Sequence, residues 1–153
     1  MSELEVHSGL VGVVVFSALV TVVTLQFISA PYGRHGREGW GPTIPPKFGW
    51  ILMESPAVLV FALFFSNGSH ARDVLPRVFC GLWQLHYVYR TFVFPFRMRS
   101  ARRMPLSIAL SGFSYNVLNA YINARWASEF GSYPTTWLAD PRFMFGIALF
   151  LAG

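Results

Sequence analysis

The chain has 153 residues and a net charge of +5, with 54% hydrophobic, 17% aromatic and only 12% charged residues. A soluble domain is roughly 25% charged, so too few charges are present to wet a compact globule, and disorder, which needs low hydrophobicity and high net charge, is excluded more firmly. One cysteine, Cys80, excludes an internal disulfide framework and a Cys-rich metal site; the basic excess lies between apolar runs and reads as membrane orientation, with no nucleic-acid partner.

A spanning helix takes about 20 residues, so the length holds about four to five crossings of an all-α, polytopic membrane bundle, with no room for a separate soluble domain. No Asp, Glu, Lys or Arg occurs between Glu5 and Arg34. The heart of that window, Leu10–Ala30, is the first predicted crossing. It is not a signal peptide, because Glu3 and Glu5 stand where a basic head is needed and the run is too long. Pro31 and Gly33 end it, and a basic Gly/Pro-rich loop continues to about Lys47. The second run, Phe48–Phe65, contains Glu54 followed by Ser55-Pro56. A polar loop from Asn67-Gly68 to Arg77 follows; its Asn67-Gly68-Ser69 matches a glycosylation acceptor but reads better, in so short a loop, as a turn. The third run, Val78–Phe96, holds His86, Tyr87 and Arg90, and ends in the cluster Arg97, Arg99, Arg102 and Arg103. The fourth, Leu106–Ala124, ends at Arg125, and residues 126–142 are predicted as a loop. The last run, Phe143–Gly153, is too short to span and carries no polar tail. The pattern predicts about four complete transmembrane helices and a fifth cut short, the alternative being a short terminal helix lying on the bundle.

Lysine and arginine set the orientation. The first loop holds Arg34, Arg37 and Lys47, and the third Arg97, Arg99, Arg102 and Arg103, against Arg72, Arg77, Arg125 and Arg142 on the other side. The positive-inside rule therefore places loops 31–47 and 97–105 in the cytosol and the N-terminus in a lumen or outside.

Glu54 is the most informative residue. An acid in an apolar crossing costs about 2.5–3.5 kcal/mol near the bilayer centre, so it should face the bundle or a cavity, where low dielectric favours the neutral acid. A neutral Glu can donate a hydrogen bond to a developing oxyanion; paired with Arg90 or His86, it would only fix helix packing. Tyr87, Arg90 and Thr91 share one helical face, with His86 alongside. A tyrosine in a dry cavity can polarise a carbonyl and Arg90 can orient an acid; the alternative is an interfacial tyrosine beside a snorkelling arginine. Asn116, Asn119 and Asn123 form a stripe suited equally to helix–helix hydrogen bonds and to ligand contact. The arginines at 97–103 could bind a phosphate-bearing cofactor, or anchor the topology on anionic lipid. No GxGxxG, P-loop, HExxH or CxxC pattern is present, and His7, His35, His70 and His86 are too scattered to hold a metal.

The stretches APYGRHGREGWGPT (30–43), WILMESP (50–56), LHYVYRTFVFPFRMR (85–99) and NVLNAYINARW (116–126), with ADPRFMFGIALFLAG (139–153) as a weaker match, resemble the steroid 5α-reductase family, above all its plant-type members of brassinosteroid synthesis. They cover most of the chain from Ala30 onward. The resemblance implies an integral, multi-pass enzyme of the endoplasmic reticulum membrane that uses NADPH to reduce the Δ4 double bond of a 3-oxo-steroid, with hydride passing to C5 and a proton to C4. It implies that Glu54 and Tyr87 hydrogen-bond the C3 carbonyl. Arg90 would orient Glu54 or line the cofactor side, His86 and Asn119 would lie near the substrate, and Arg99 and Arg103 would meet the cofactor phosphate. The family's usual Asn-Gly reads Asn119-Ala120 here. The family also continues past the fifth helix with the segments that supply most of the NADPH pocket, so residues 1–153 correspond to the N-terminal membrane part and are expected to hold an incomplete cofactor site. Related reductases acting on trans-2-enoyl-CoA or polyprenol share the HYxxRT-type signature, and a non-catalytic truncated membrane protein that binds sterol or lipid is the rival from another class.

Overall fold

The computed structural model describes residues 1–28, 39–98 and 103–152. Helix α1 (Glu3–Leu25) is opened by a capping box: the Glu5 N–H donates to the Ser2 hydroxyl at 3.3 Å, and the Ser2 N–H donates to the Glu5 carboxylate at 2.7 Å. The cap, not the hydropathy, sets the start. The first crossing therefore begins well before the expected Leu10 and takes Glu3 and Glu5 into its first turn, where the helix dipole favours acids. It also ends earlier than the expected stop at Pro31, at Leu25 with Gln26 as its C-cap.

Helix α2 (Pro46–Ser66) opens on a proline at its first position, where the missing N–H costs nothing. Pro56 inside it removes the donor for the Leu52 carbonyl, and the Ser55 hydroxyl donates there instead at 3.1 Å. The third run is one continuous helical stretch in three pieces: α3 (Val74–Val88), a π turn over Tyr89–Val93, and α4 (Phe94–Arg97). Pro95 explains the π turn, since it can neither donate to an upstream carbonyl nor tolerate one against its ring. Helix α5 (Leu106–Arg125) runs on into a second π turn, Trp126–Phe130. A 3-10 helix, Thr135–Ala139, and α6 (Pro141–Ala152) follow. Residues 126–142, expected as a loop, are thus largely helical. Asp140 caps α6 by accepting the Arg142 N–H at 2.8 Å, and the guanidinium of Arg142 holds its carboxyl at a pKa of about 2.

The single departure from an all-α fold among the described residues is a short antiparallel pair, β1 (Thr43–Ile44) with β2 (Met104–Pro105), Thr43 opposite Pro105. It ties the described parts of the first and third loops to one end of the bundle. The opposite end gathers the N-terminus and the other two connections: the His70 N–H donates to the Ser128 carbonyl at 2.8 Å, the Ser69 N–H to Glu129 at 2.6 Å, and Arg125 pairs with Glu3 at 2.7 Å. The helices accordingly run up and down.

The core lies between α2 and α5. Small residues, Ala57, Ala109, Ala120 and Ala124, are fully buried there and let the backbones approach, with Phe61 and Phe65 filling beside them and Trp83 and Cys80 packed against the cluster. Among the described residues, α1 and α2 are long and apolar enough to cross a membrane, with mean hydropathies of 2.3 and 1.9. The third run is broken by its π turn and α5 is diluted by serine and asparagine, so neither joins them on that test.

Candidate functional site

The site is built on the face of α2 that carries Trp50, Met53 and Glu54. With α1, α3, the first π turn and α5, this face lines an open cavity of about 1010 Å³. Its wall is chiefly apolar, with Glu54, Tyr87, Arg90, His86, Tyr115 and Asn116 converging on it, the composition expected of a small-molecule site. Glu54 is 3% exposed. Arg90 donates to it from Nε at 3.0 Å and from Nη2 at 2.8 Å, and both bonds fall on Oε1. Oε2 accepts no hydrogen bond among the described residues. Of the two partners proposed for Glu54 from sequence, Arg90 is the one engaged, the pairing expected of a packing role; the Oε2 left without a bond among the described residues is what goes beyond that role.

Tyr87 lies one turn before Arg90, half-buried on the same cavity. Its ring packs on Trp83, 4.6 Å between centroids, and meets His86 edge-on at 5.0 Å. His86 is exposed at the rim, turned also toward Phe150 of α6 at 5.7 Å. Thr91 does not line the cavity with Tyr87 and Arg90. The π turn breaks the expected i, i+4 relation and leaves Thr91 fully buried. The asparagine stripe divides. Asn116 is a helix tie, donating to the Met53 carbonyl of α2 at 2.8 Å while touching the cavity. Asn119 accepts from Asn123 at 3.0 Å and adjoins the Tyr87 side chain without lining the cavity. Gly112 sits opposite Met53, whose side chain fills the space that a Cβ would take.

Arg103 is bound into the fold: Nε donates to the Thr43 hydroxyl at 2.9 Å and Nη2 to the Thr43 carbonyl at 2.7 Å, stapling β1 to β2. Arg97 donates to the Tyr89 hydroxyl at 3.1 Å. Arg99 lies outside the described residues. No cluster of metal-ligating side chains occurs among the described residues.

Residues 102–153 match the family model described as 3-oxo-5-alpha-steroid 4-dehydrogenase. The chain is 38% identical over 141 residues to steroid 5-alpha-reductase DET2 of Gossypium hirsutum, covering 89% of this chain and 55% of that protein. It is 37% identical over 146 residues to steroid 5-alpha-reductase DET2 of Arabidopsis thaliana, covering 91% and 56%. To 3-oxo-5-alpha-steroid 4-dehydrogenase 1 of Bos taurus it is 32% identical over 139 residues, covering 88% and 54%. The chain is related to the steroid 5-alpha-reductases. It spans a little over half the length of these reductases.

Two features of this cavity were not legible in the sequence. Trp50 lies four residues before Glu54, the spacing that shares a helix face, yet only the fold reveals that it reaches Arg90. Tyr115, adjoining the asparagine stripe, lines the cavity on the α5 side; an isolated tyrosine in an apolar run gave no signal to single it out.

Proposed function

We propose that the chain binds a 3-oxo-4-ene steroid in this cavity and polarises its C3 carbonyl through Tyr87 and Glu54, as the substrate part of a steroid 5-alpha-reductase. The observation that carries the reading is the Glu54 carboxyl, buried on an apolar cavity beside a tyrosine with one oxygen clamped and the other open. The Nε and Nη2 donors of Arg90 both fall on Oε1, which leaves Oε2 for a ligand. When Oε2 carries a proton the group donates to a ligand, and the Tyr87 hydroxyl supplies a second donor. As C5 is reduced, negative charge develops on the C3 oxygen, and two donors already in place in a dry site stabilise that enolate.

NADPH is the reductant implied by the family resemblance. Among the described residues Arg103 already donates to Thr43 and Arg97 to Tyr89, and these two arginines alone do not make up a dinucleotide site. The work assigned to this chain is on the carbonyl side of the reaction.

The proposed setting is the endoplasmic reticulum membrane. Alongside α1 and α2, the continuous runs 74–97 and 106–130 are each roughly 36 Å long at 1.5 Å per residue, enough to cross a hydrocarbon core of about 30 Å. The strand pair joins the described parts of the first and third loops, Thr43–Ile44 and Met104–Pro105, at one end, which supports the reading of loops 31–47 and 97–105 as cytosolic and of the N-terminus as lumenal.

The test is equilibrium binding of tritiated steroids to the chain in lipid nanodiscs. A 3-oxo-4-ene steroid is expected to bind about tenfold more tightly than its saturated 3-hydroxy counterpart, the equivalent of roughly 1.4 kcal/mol. Equal affinities contradict the reading, and preference for a trans-2-enoyl-CoA or a polyprenol moves the substrate to a related reductase class.

A further inference from the structure

The π turn leaves a carbonyl without a backbone donor. In a regular helix the Arg90 carbonyl would accept from the Phe94 N–H, but that N–H donates to Tyr89 instead. The next N–H in π register belongs to residue 95, a proline, which has none. The Trp50 indole N–H fills the gap, donating to the Arg90 carbonyl at 3.1 Å. The same indole lies under the Arg90 guanidinium, 5.1 Å from ring centroid to Cζ, close enough for a cation–π contact. Phe94, at 5.2 Å, braces the ring. Trp50 and Glu54 are one turn apart on α2, so one helix face holds Arg90 by its backbone, its charge and its donors together.

We infer that Trp50 is a positioning residue, which fixes Arg90 so that its guanidinium covers one oxygen of Glu54 and leaves the other to the ligand. Without the indole N–H the Arg90 carbonyl loses this donor, the π turn resettles, and the guanidinium shifts toward the symmetric fork that guanidinium and carboxylate favour, so that the open oxygen is lost. This rests on the reading that Glu54 meets the steroid carbonyl. Trp50 itself lines the cavity, so its action through Arg90 must be separated from direct contact with the ligand.

A double-mutant cycle on steroid affinity makes that separation. The chain in nanodiscs is titrated with a tritiated 3-oxo-4-ene steroid as the natural sequence, Trp50→Phe, Glu54→Ala and the double variant. Phenylalanine keeps a ring under the guanidinium and loses only the N–H. Trp50→Phe is expected to weaken binding about tenfold when Glu54 is present, the scale of one hydrogen bond, and less than twofold when Glu54 is alanine. The same factor in both backgrounds, or none in either, overturns the inference while a loss of affinity in Glu54→Ala alone leaves the role of Glu54 standing. If Glu54→Ala binds normally, the role of Glu54 fails instead. The indole N–H of Trp50, read by 15N NMR in the natural chain with no steroid, then decides the Trp50–Arg90 link: a hydrogen-bonded resonance upholds it and a free-indole resonance overturns it.

Discussion

A carboxyl group that accepts two guanidinium hydrogen bonds on one oxygen has only the other left to work with. This asymmetry at Glu54 makes two substitutions informative in different ways. In Glu54→Gln the amide oxygen can face Arg90 and the amide N–H₂ can face the ligand, so steroid affinity should stay within about threefold. An amide is a far weaker acid than a carboxyl group, so wherever turnover is measurable kcat should fall by about a hundredfold or more. Tyr87→Phe removes a donor outright, and affinity measured by the same titration should drop about five- to tenfold. Normal affinity and normal kcat in both variants would remove these residues from the reaction. Glu54 was legible from sequence because an acid inside an apolar run must be satisfied somewhere. Its partner was legible only as a choice between Arg90 and His86, because which of two neighbouring residues reaches across depends on how the third helix is wound.

That winding belongs to the element scale. Hydropathy reads residues 78–96 as one uniform run, whereas Pro95 forces a π turn that sends Tyr87 and Arg90 to the cavity and Thr91 into the packing. The proline was visible; the turn through which the helix accommodates it was not. The early start of α1 was written in Ser2 and Glu5 as a capping box, a stronger boundary signal than the edge of an apolar stretch. Close approach of elements gives a second kind of prediction. A Cβ on Gly68 would strike both the side chain and the backbone carbonyl of Ser128, whereas one on Gly112 would strike the side chain of Met53 alone. A side chain can move where a helix backbone cannot. Gly68→Ala should therefore cost about 1–3 kcal/mol and Gly112→Ala clearly less, read as thermal unfolding in detergent; the reverse order would contradict the packing described.

At the scale of the whole molecule, α1 is attached chiefly at one end. Glu3 accepts both Arg125 donors, at 2.7 and 2.8 Å, and His7 is buried against Phe130 with its Nε2 3.0 Å from the Ile122 carbonyl. Farther along, Val13, Ser17 and Thr21 serve as a cavity wall, while most of α1 stays exposed. The anchor thus sets where that wall stands. Glu3→Ala strands the Arg125 side chain, which is 8% exposed; Glu129, 3.7 Å away, takes up part of its charge, so a loss of about 1–3 kcal/mol is expected, below the full penalty for breaking a buried pair. Spin labels on α1 and α5 should report a broader distance distribution in that variant, and an unchanged distribution would show that the wall does not depend on the anchor. None of this long-range pairing could be read from sequence, because the partners lie more than a hundred residues apart and no local pattern links them. The shared end of the described parts of the first and third loops was legible, through the alternation of successive apolar runs. With Cys80 replaced by serine, a single cysteine at position 43 should react with an impermeant thiol reagent from the cytosolic side and one at position 69 from the lumenal side; the opposite result would invert the orientation.

If the Glu54 and Tyr87 side chains polarise a steroid carbonyl, the carbonyl itself reports it. Isotope-edited infrared spectra of a 3-oxo-4-ene steroid labelled with 13C at C3, bound to the chain in nanodiscs, should show the C=O stretch shifted to lower frequency than in lipid alone. The shift should be smaller in Glu54→Ala and in Tyr87→Phe, and absent in the double variant. A bound steroid whose carbonyl absorbs at its lipid frequency, or whose shift survives both substitutions, would contradict the account.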